Sequence, residues 1–341
     1  MMRLPYFRYH APRTVEEAVD LLARSPDDAM VIAGGTDLLP NMKRRQQVPA
    51  TLIGVRHVAA MRQIRDDDGI SIGAGVTLAA IVRDARVQAA YPGLWQAAKQ
   101  VATPQLRNMG TIGGNLCLDT RCNYYDQNYE WRKAIDFCMK KDGVICWVAP
   151  SSRRCLAVSS ADTIPALITL GASITLASVN GTRTIPLNAL YRNDGIHHLT
   201  RQPGEILTTV HVPKADGWRS TYWKLRRRGA FDFPVLGVAA GVKFAANGTV
   251  EAARIVLGAV ASSPLDVSDA VGSLVGQPLT DEVIAAAAEA AAHPARPMDN
   301  TDFALHWRKR VTREFVSWAL REVRGEDVRD IRRRVARQML L

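Results

Sequence analysis

The chain has 341 residues, with 44 basic against 33 acidic side chains for a net charge of +11, 47% hydrophobic residues and five cysteines. At about 150 residues per domain this predicts two or three domains, each able to bury a core, and it excludes disorder, collagen-like repeats and low complexity. The longest apolar run, Val235 to Val242, falls far short of the roughly 20 residues that a bilayer span needs, so no membrane partner is expected.

In chain order, Met1 to Thr14 carries Arg3, Arg8 and Arg13 without an apolar export segment, which leads to the expectation of a cytoplasmic protein. Thr14-Val-Glu-Glu17 is a capping box, and Val15, Ala18, Val19 and Leu22 follow at helical spacing. A short strand, Met30 to Ala33, runs into Gly34-Gly35-Thr36-Asp37. A second, Ile70 to Ala74, leads to Thr77 as N-cap of an amphipathic helix Leu78 to Val87. Another helix is expected from Leu94 to Val101, ending before Pro104. Asp162 is placed to cap a helix reaching Leu170, with Gly171 as its stop. Asn180-Gly181 and Asn247-Gly248 each mark a hairpin, with type I′ geometry expected at the first. Helices are expected near Asp281 to Ala292 and Phe303 to Val323. Turn residues between Pro203 and Gly217 place a domain boundary near 217, giving domains 1–217 and 218–341. Strands mixed with helices point to the α+β class.

Two glycine loops stand out. Gly34-Gly35 and Gly110-Thr111-Ile112-Gly113-Gly114-Asn115 are places where backbone N–H groups can approach a phosphate. Neither is a P-loop or a G-x-G-x-x-G fingerprint, and each alone reads more readily as a tight turn than as a phosphate site. Together, Ile32-Ala33-Gly34-Gly35-Thr36-Asp37-Leu38 and the run Gln105 to Leu116 closely resemble the FAD-binding subunits of the molybdenum hydroxylases, the family of xanthine oxidase and carbon monoxide dehydrogenase. The resemblance continues through Ala161 to Leu167, Asp194-Gly195, Pro203 to Ile206 and Tyr222-Trp223-Lys224. It implies the FAD-binding fold of vanillyl-alcohol oxidase and p-cresol methylhydroxylase, followed by a smaller α+β C-terminal domain with an antiparallel sheet and helices. It further implies that residues 32–38 and 110–115 cradle the FAD pyrophosphate and ribityl chain, and that Asp162 and Lys224 contact the flavin or its ribityl part. Asp37 would then have to point away from the phosphates or bond a hydroxyl. Read without the resemblance, Asp162 is a helix cap and Lys224 a surface lysine.

All five cysteines fall between Cys117 and Cys155, which asks for a shared cause. Disulfides suit neither an odd count nor a cytoplasmic protein. Structural zinc is an alternative, although none of Cys122, Cys138, Cys146 and Cys155 stands at a C-x2–4-C spacing from the next. Four thiolates can instead hold a 4Fe-4S cluster. Tyr124, Tyr125, Tyr129, Trp131, Phe137 and Trp147 would shield such a cluster, or form the small core of an insertion. The stretch from Asn115 to Asp162 is much longer than in most of the family. The insertion, placed at 117–160, resembles one branch, the β subunits of 4-hydroxybenzoyl-CoA reductases, through Arg121-Cys122-Asn123-Tyr124-Tyr125 and Phe137-Cys138. That resemblance implies Cys122, Cys138, Cys146 and Cys155 as cluster ligands and leaves Cys117 as a packed thiol. Even fully extended tethers would keep Cys122 and Cys155 within about 25 Å of the flavin loops.

The branch implies an oxidoreductase subunit without substrate-transforming residues, and no Ser-His-Asp, H-E-x-x-H or paired-carboxylate arrangement contradicts it. Its implied partners are a large molybdopterin subunit and a small 2Fe-2S subunit in a dimer of heterotrimers, with ferredoxin as electron donor for reductive dehydroxylation to benzoyl-CoA. An oxidative molybdenum hydroxylase on another aromatic or heterocyclic substrate is a second expectation. A binding or assembly protein with a zinc loop is a third. The basic excess gathers at residues 301–341, with eleven Lys/Arg against six Asp/Glu, and at Lys224, Arg226, Arg227 and Arg228. It fits a solvated face, a partner subunit or an acidic carrier, and no motif beside it suggests nucleic acid.

Overall fold

The computed structural model describes residues 3–337. Strand β1 (Arg8–His10) is followed by helix α1 (Val15–Ala23). Thr14 Oγ1 accepts the Glu17 N–H at 3.1 Å, as a capping box requires, whereas the Glu17 carboxylate takes the Arg13 N–H at 2.8 Å, one residue earlier than the usual reciprocal bond. β2 (Ala29–Ile32), α2 (Leu38–Lys43) and β3 (Thr51–Gly54) complete a parallel three-stranded sheet of order β1-β3-β2. The chain therefore leaves β2 and turns through the first glycine loop directly into α2.

β4 (Ile64–Asp67) and β5 (Gly69–Gly73) start a second sheet. Thr77 caps α3 (Leu78–Arg83) through the Ala80 N–H at 3.2 Å. The single helix expected from Leu78 to Val87 is instead broken at Asp84. That residue is extended, and its carboxylate accepts the N–H groups of Arg86 and Val87 to cap a separate α4 (Ala85–Ala90). Four further helices follow, α5 (Pro92–Gln100), α6 (Pro104–Arg107), α7 (Ile112–Leu116) and α8 (Tyr129–Ala134), before α9 (Thr163–Thr169). β6 (Ser173–Ser178), β7 (Gly181–Pro186) and β8 (Ile206–Val212) complete an antiparallel sheet of order β4-β5-β8-β6-β7.

The last sheet is antiparallel, of order β12-β11-β10-β9, built from β9 (Trp218–Leu225), β10 (Leu236–Phe244), β11 (Val250–Gly258) and β12 (Leu265–Asp266). α10 (Asp281–Ala292) and α11 (Leu305–Arg324) form its helical layer, and α12 (Arg329–Ala336) follows. Both Asn-Gly hairpins form, but the positive φ falls only on Gly181 (+107°) and Gly248 (+84°), not on the asparagines. A glycine following the turn, rather than a type I′ pair, reverses the chain. α5 and α9 pack against β9, β10 and β11, so the last sheet backs directly onto helices that lie on either side of the second glycine loop in the chain. The α+β expectation holds, with one core around the second sheet, one around β10 and α11, and a small cluster of Cys122, Tyr125, Cys138, Cys155 and Ala157 within the insertion. Among the described residues no helix is long and apolar enough to cross a membrane.

Candidate functional site

The two glycine loops, far apart in sequence, line one cleft of about 480 Å³. Ile32 to Leu38 form one wall, and Gly110, Thr111, Gly114 and Asn115 another. Ile112 and Gly113 lie behind that wall, where a Cβ on Gly113 would come within 2.6 Å of the Ala74 Cβ. Asp162 also lines the cleft, together with Phe231 and Phe233 from the loop after β9.

Local bonding leaves donors free on the cleft wall. Thr111 Oγ1 caps α7 by accepting the Gly114 N–H at 3.1 Å, and Asn115 Oδ1 accepts from Thr163 Oγ1 at 2.6 Å, which fixes α7 to α9. Among the described residues, the N–H groups of Gly34, Gly35, Thr36, Asp37 and Thr111 have no protein acceptor. Ser160 Oγ, buried and lining the cleft, is likewise without a partner. Free N–H groups on a glycine-rich wall are what a pyrophosphate requires.

A carboxylate among them would repel that anion, yet Asp37 is neutralised. Its side chain is ion-paired to the buried Arg121 and accepts from Asn41 Nδ2 at 3.1 Å. Arg121 also donates to Asn41 Oδ1 at 3.2 Å and Asp126 Oδ1 at 3.1 Å, and its guanidinium lies 4.7 Å from the Phe233 ring centroid. Sequence reasoning did not single out Arg121. It stands in the cysteine motif, but nothing local shows its pairing with Asp37, which lies in another element.

Asp162 does not cap α9. Its backbone is helical, and its carboxylate instead accepts from Lys224 Nζ at 2.9 Å and Tyr222 Oη at 2.9 Å, while Lys224 Nζ also donates to the Gln100 carbonyl at 3.0 Å. Both side chains of the ion pair are almost wholly buried, at 0% exposure for Lys224 and 4% for Asp162. Lys224 is therefore neither a surface lysine nor a cleft-lining one, and it reaches the cleft through Asp162. Burial raises the Asp162 carboxyl and lowers the Lys224 ammonium, each opposed by the charge of the other.

Cys122, Cys138, Cys146 and Cys155 are all buried and line a single small cavity with Tyr124, Tyr125, Met139, Lys140, Trp147, Val148 and Ala157. Cys117 lies apart from them and lines the cleft. All five are free thiols. Burial pushes Cys122 up to about 12 and Cys155 up to about 11, so metal binding at these sulfurs must release protons. The cavity measures about 10 Å³, and among the described residues no three His, Cys, Asp or Glu side chains are gathered for a single ion. Four buried sulfurs are nevertheless a donor set of the kind that holds a metal or cluster once deprotonated, and a cluster seated there would have to push the four sulfurs outward. The insertion is tied at its neck by an antiparallel bridge, with Arg121 N–H to Val158 O at 2.9 Å and Val158 N–H to Arg121 O at 2.7 Å.

Residues 5–215 match the family model described as the FAD binding domain in molybdopterin dehydrogenase, and residues 220–323 match that of the CO dehydrogenase flavoprotein C-terminal domain. The chain is 31% identical over 301 residues to the carbon monoxide dehydrogenase medium chain of Hydrogenophaga pseudoflava, covering 87% of this chain and 89% of that one. It is 30% identical over 284 residues to the nicotinate dehydrogenase FAD-subunit of Eubacterium barkeri, covering 82% and 83%. Among solved structures, carbon monoxide dehydrogenase from H. pseudoflava superposes with a TM-score of 0.76 at 30% identity, covering 94% of this chain and 97% of that one. Quinoline 2-oxidoreductase from Pseudomonas putida 86 superposes with a TM-score of 0.75 at 27% identity, covering 95% and 98%. With both family models matched in order and the two glycine loops gathered on one cleft, this chain belongs to the molybdenum hydroxylase family as an FAD-binding subunit.

Proposed function

We propose that the chain is the FAD and 4Fe-4S electron-transfer subunit of a molybdenum enzyme resembling 4-hydroxybenzoyl-CoA reductase. The observation that carries the reading is the convergence of Cys122, Cys138, Cys146 and Cys155 on one cavity, with Cys117 left outside it. Their sulfurs would hold the cluster, which supplies one-electron transfer. Residues 32–38 and 110–115 would hold FAD: the free N–H groups receive its phosphates, Arg121 keeps Asp37 from repelling them, and the Asp162–Lys224 pair presents a fixed charge array beside the flavin or ribityl chain. FAD, when bound, supplies exchange between two-electron and one-electron chemistry.

In this reading the division near residue 217 separates a cofactor-holding domain from a C-terminal one that backs it. The chain works in the cytoplasm beside a 2Fe-2S subunit and a molybdopterin subunit, in a dimer of heterotrimers. It receives electrons from ferredoxin, and the phenolic hydroxyl of 4-hydroxybenzoyl-CoA is removed on the partner. A second reading, an FAD subunit of an oxidative hydroxylase, is favoured by the relatives, which are named for carbon monoxide, nicotinate and quinoline.

Metal, acid-labile sulfide and flavin analysis of anaerobically purified protein tests the cluster. About four iron and four sulfide per FAD are expected. Zinc in place of iron would make the insertion a structural loop and remove the cluster from the proposal. Turnover of 4-hydroxybenzoyl-CoA by the purified complex with reduced ferredoxin separates the two substrate readings.

A further inference from the structure

A buried charge pair stands between the cleft and the cysteine cavity. Lys140 lines the cavity and Asp119 lines the cleft. Lys140 Nζ donates to Asp119 Oδ1 at 2.7 Å, with side-chain exposures of only 6% and 10%. All three ammonium hydrogens are engaged, because Nζ also donates to Thr120 Oγ1 at 2.8 Å and to the Gly195 carbonyl at 2.6 Å. Tyr125, a second cavity residue, donates its hydroxyl to Asp119 Oδ2 at 3.1 Å and places its ring 4.8 Å from the ammonium. The pair is therefore fixed in orientation, positive toward the cysteines and negative toward the cleft.

We propose that Lys140 and Asp119 are positioning residues whose fixed dipole biases an electron toward the cysteine-held cluster and away from the flavin. The proposal rests on the reading of Cys122, Cys138, Cys146 and Cys155 as cluster ligands and of the cleft as the flavin site. An added electron makes the cluster more negative, so the nearby ammonium stabilises its reduced form. The Asp119 carboxylate opposes negative charge gained on the cleft side. Both charges are buried, so solvent screens them weakly. The pair thereby lengthens the residence of an electron on the cluster, whichever way current runs through the chain.

The test is a redox titration of the assembled holoenzyme, reading the cluster by electron paramagnetic resonance and the flavin by visible absorbance, after iron and flavin contents have been measured. Lys140→Met is expected to lower the cluster potential by more than the flavin potential, shifting the electron's partition at least tenfold, which is about 59 mV for a one-electron couple. Lys140→Arg, which keeps the charge, is expected to restore most of the shift. Asp119→Asn is expected to raise the flavin potential by more than that of the cluster. Four iron per chain with unchanged potentials, or equal movement of both centres, would overturn the dipole and leave the cluster assignment standing. Absence of iron from the wild-type protein would overturn both together. Should Lys140→Met fail to retain iron, the Asp119→Asn titration decides the question alone.

Discussion

Gly34 rests against the Met109 carbonyl so closely that a Cβ placed on it would lie 1.9 Å from that oxygen. The two glycine loops thus touch through backbone alone, and the contact sets the spacing between the walls of the cleft. Gly114 differs, because a Cβ there meets only Thr111 Oγ1, at 3.2 Å.

That contrast separates folding from binding. Gly34→Ala is expected to force the loops apart, costing about 1–3 kcal/mol as an overpacked site does, and to lose FAD. Gly114→Val is expected to stay within about 1 kcal/mol of the wild type, since its side chain enters open cleft, but to lose FAD as well. Thermal melting and the flavin-to-protein absorbance ratio after gel filtration distinguish them. Stoichiometric flavin in Gly114→Val would move the phosphate site away from this loop.

The Asp162–Lys224 pair predicts non-additive stability. Asp162→Asn leaves a buried ammonium with only the Gln100 carbonyl and a neutral amide, and the loss is expected to be about 3–5 kcal/mol. Lys224→Met is expected to cost a similar amount by stranding the carboxylate. The double variant should be less destabilised than the sum of the two, and equilibrium denaturation of the flavin-loaded protein measures the coupling.

The cysteines divide four against one. Cys138→Ser is expected to lose most of the iron while retaining FAD, because its sulfur lines the small cavity and not the cleft. Cys117→Ser should retain iron, because Cys117 lies on the cleft. Iron and flavin assays on both variants check this, and equal iron loss in the two would dissolve the assignment.

Acid sensitivity has a local origin at the edge of the second sheet. Glu205 accepts from Arg183 Nε at 2.6 Å, Arg183 Nη2 at 2.9 Å and the Gln202 N–H at 2.7 Å, which holds its carboxyl below the ordinary 4.5. A depressed folded-state value stabilises the fold above 4.5, and that contribution is lost as pH falls through the folded value. Melting curves from pH 6 downward should show a smaller acid-induced decline for Glu205→Gln than for the wild type.

Local signals in the sequence carried much of this structure. Thr14 and Thr77 cap the helices they were expected to cap, and α10 has the expected bounds. Such features depend on residues within one turn of each other. The expectations that failed were decided by distant partners or competing local ones. Asp162 was diverted from its cap by Lys224, and Asp84 broke a helix whose apolar spacing ran on past it. The roles of Arg121 and Arg308 were not legible. The first needed Asp37 to explain its burial, and the second donates to the carbonyls of Val235, Met298 and Ala259. A buried arginine announces itself only through acceptors that the fold assembles.

The bridge between Arg121 and Val158 also gives the cysteine insertion the architecture of a cassette. The chain enters and leaves at adjacent points of one backbone pairing, so everything between is an appendage that begins and ends at the same place. A short turn joining Arg121 to Val158 would close the same gap. The insertion could accordingly be gained or shed as one unit by an ancestral flavin subunit, without redrawing the sheets that carry it.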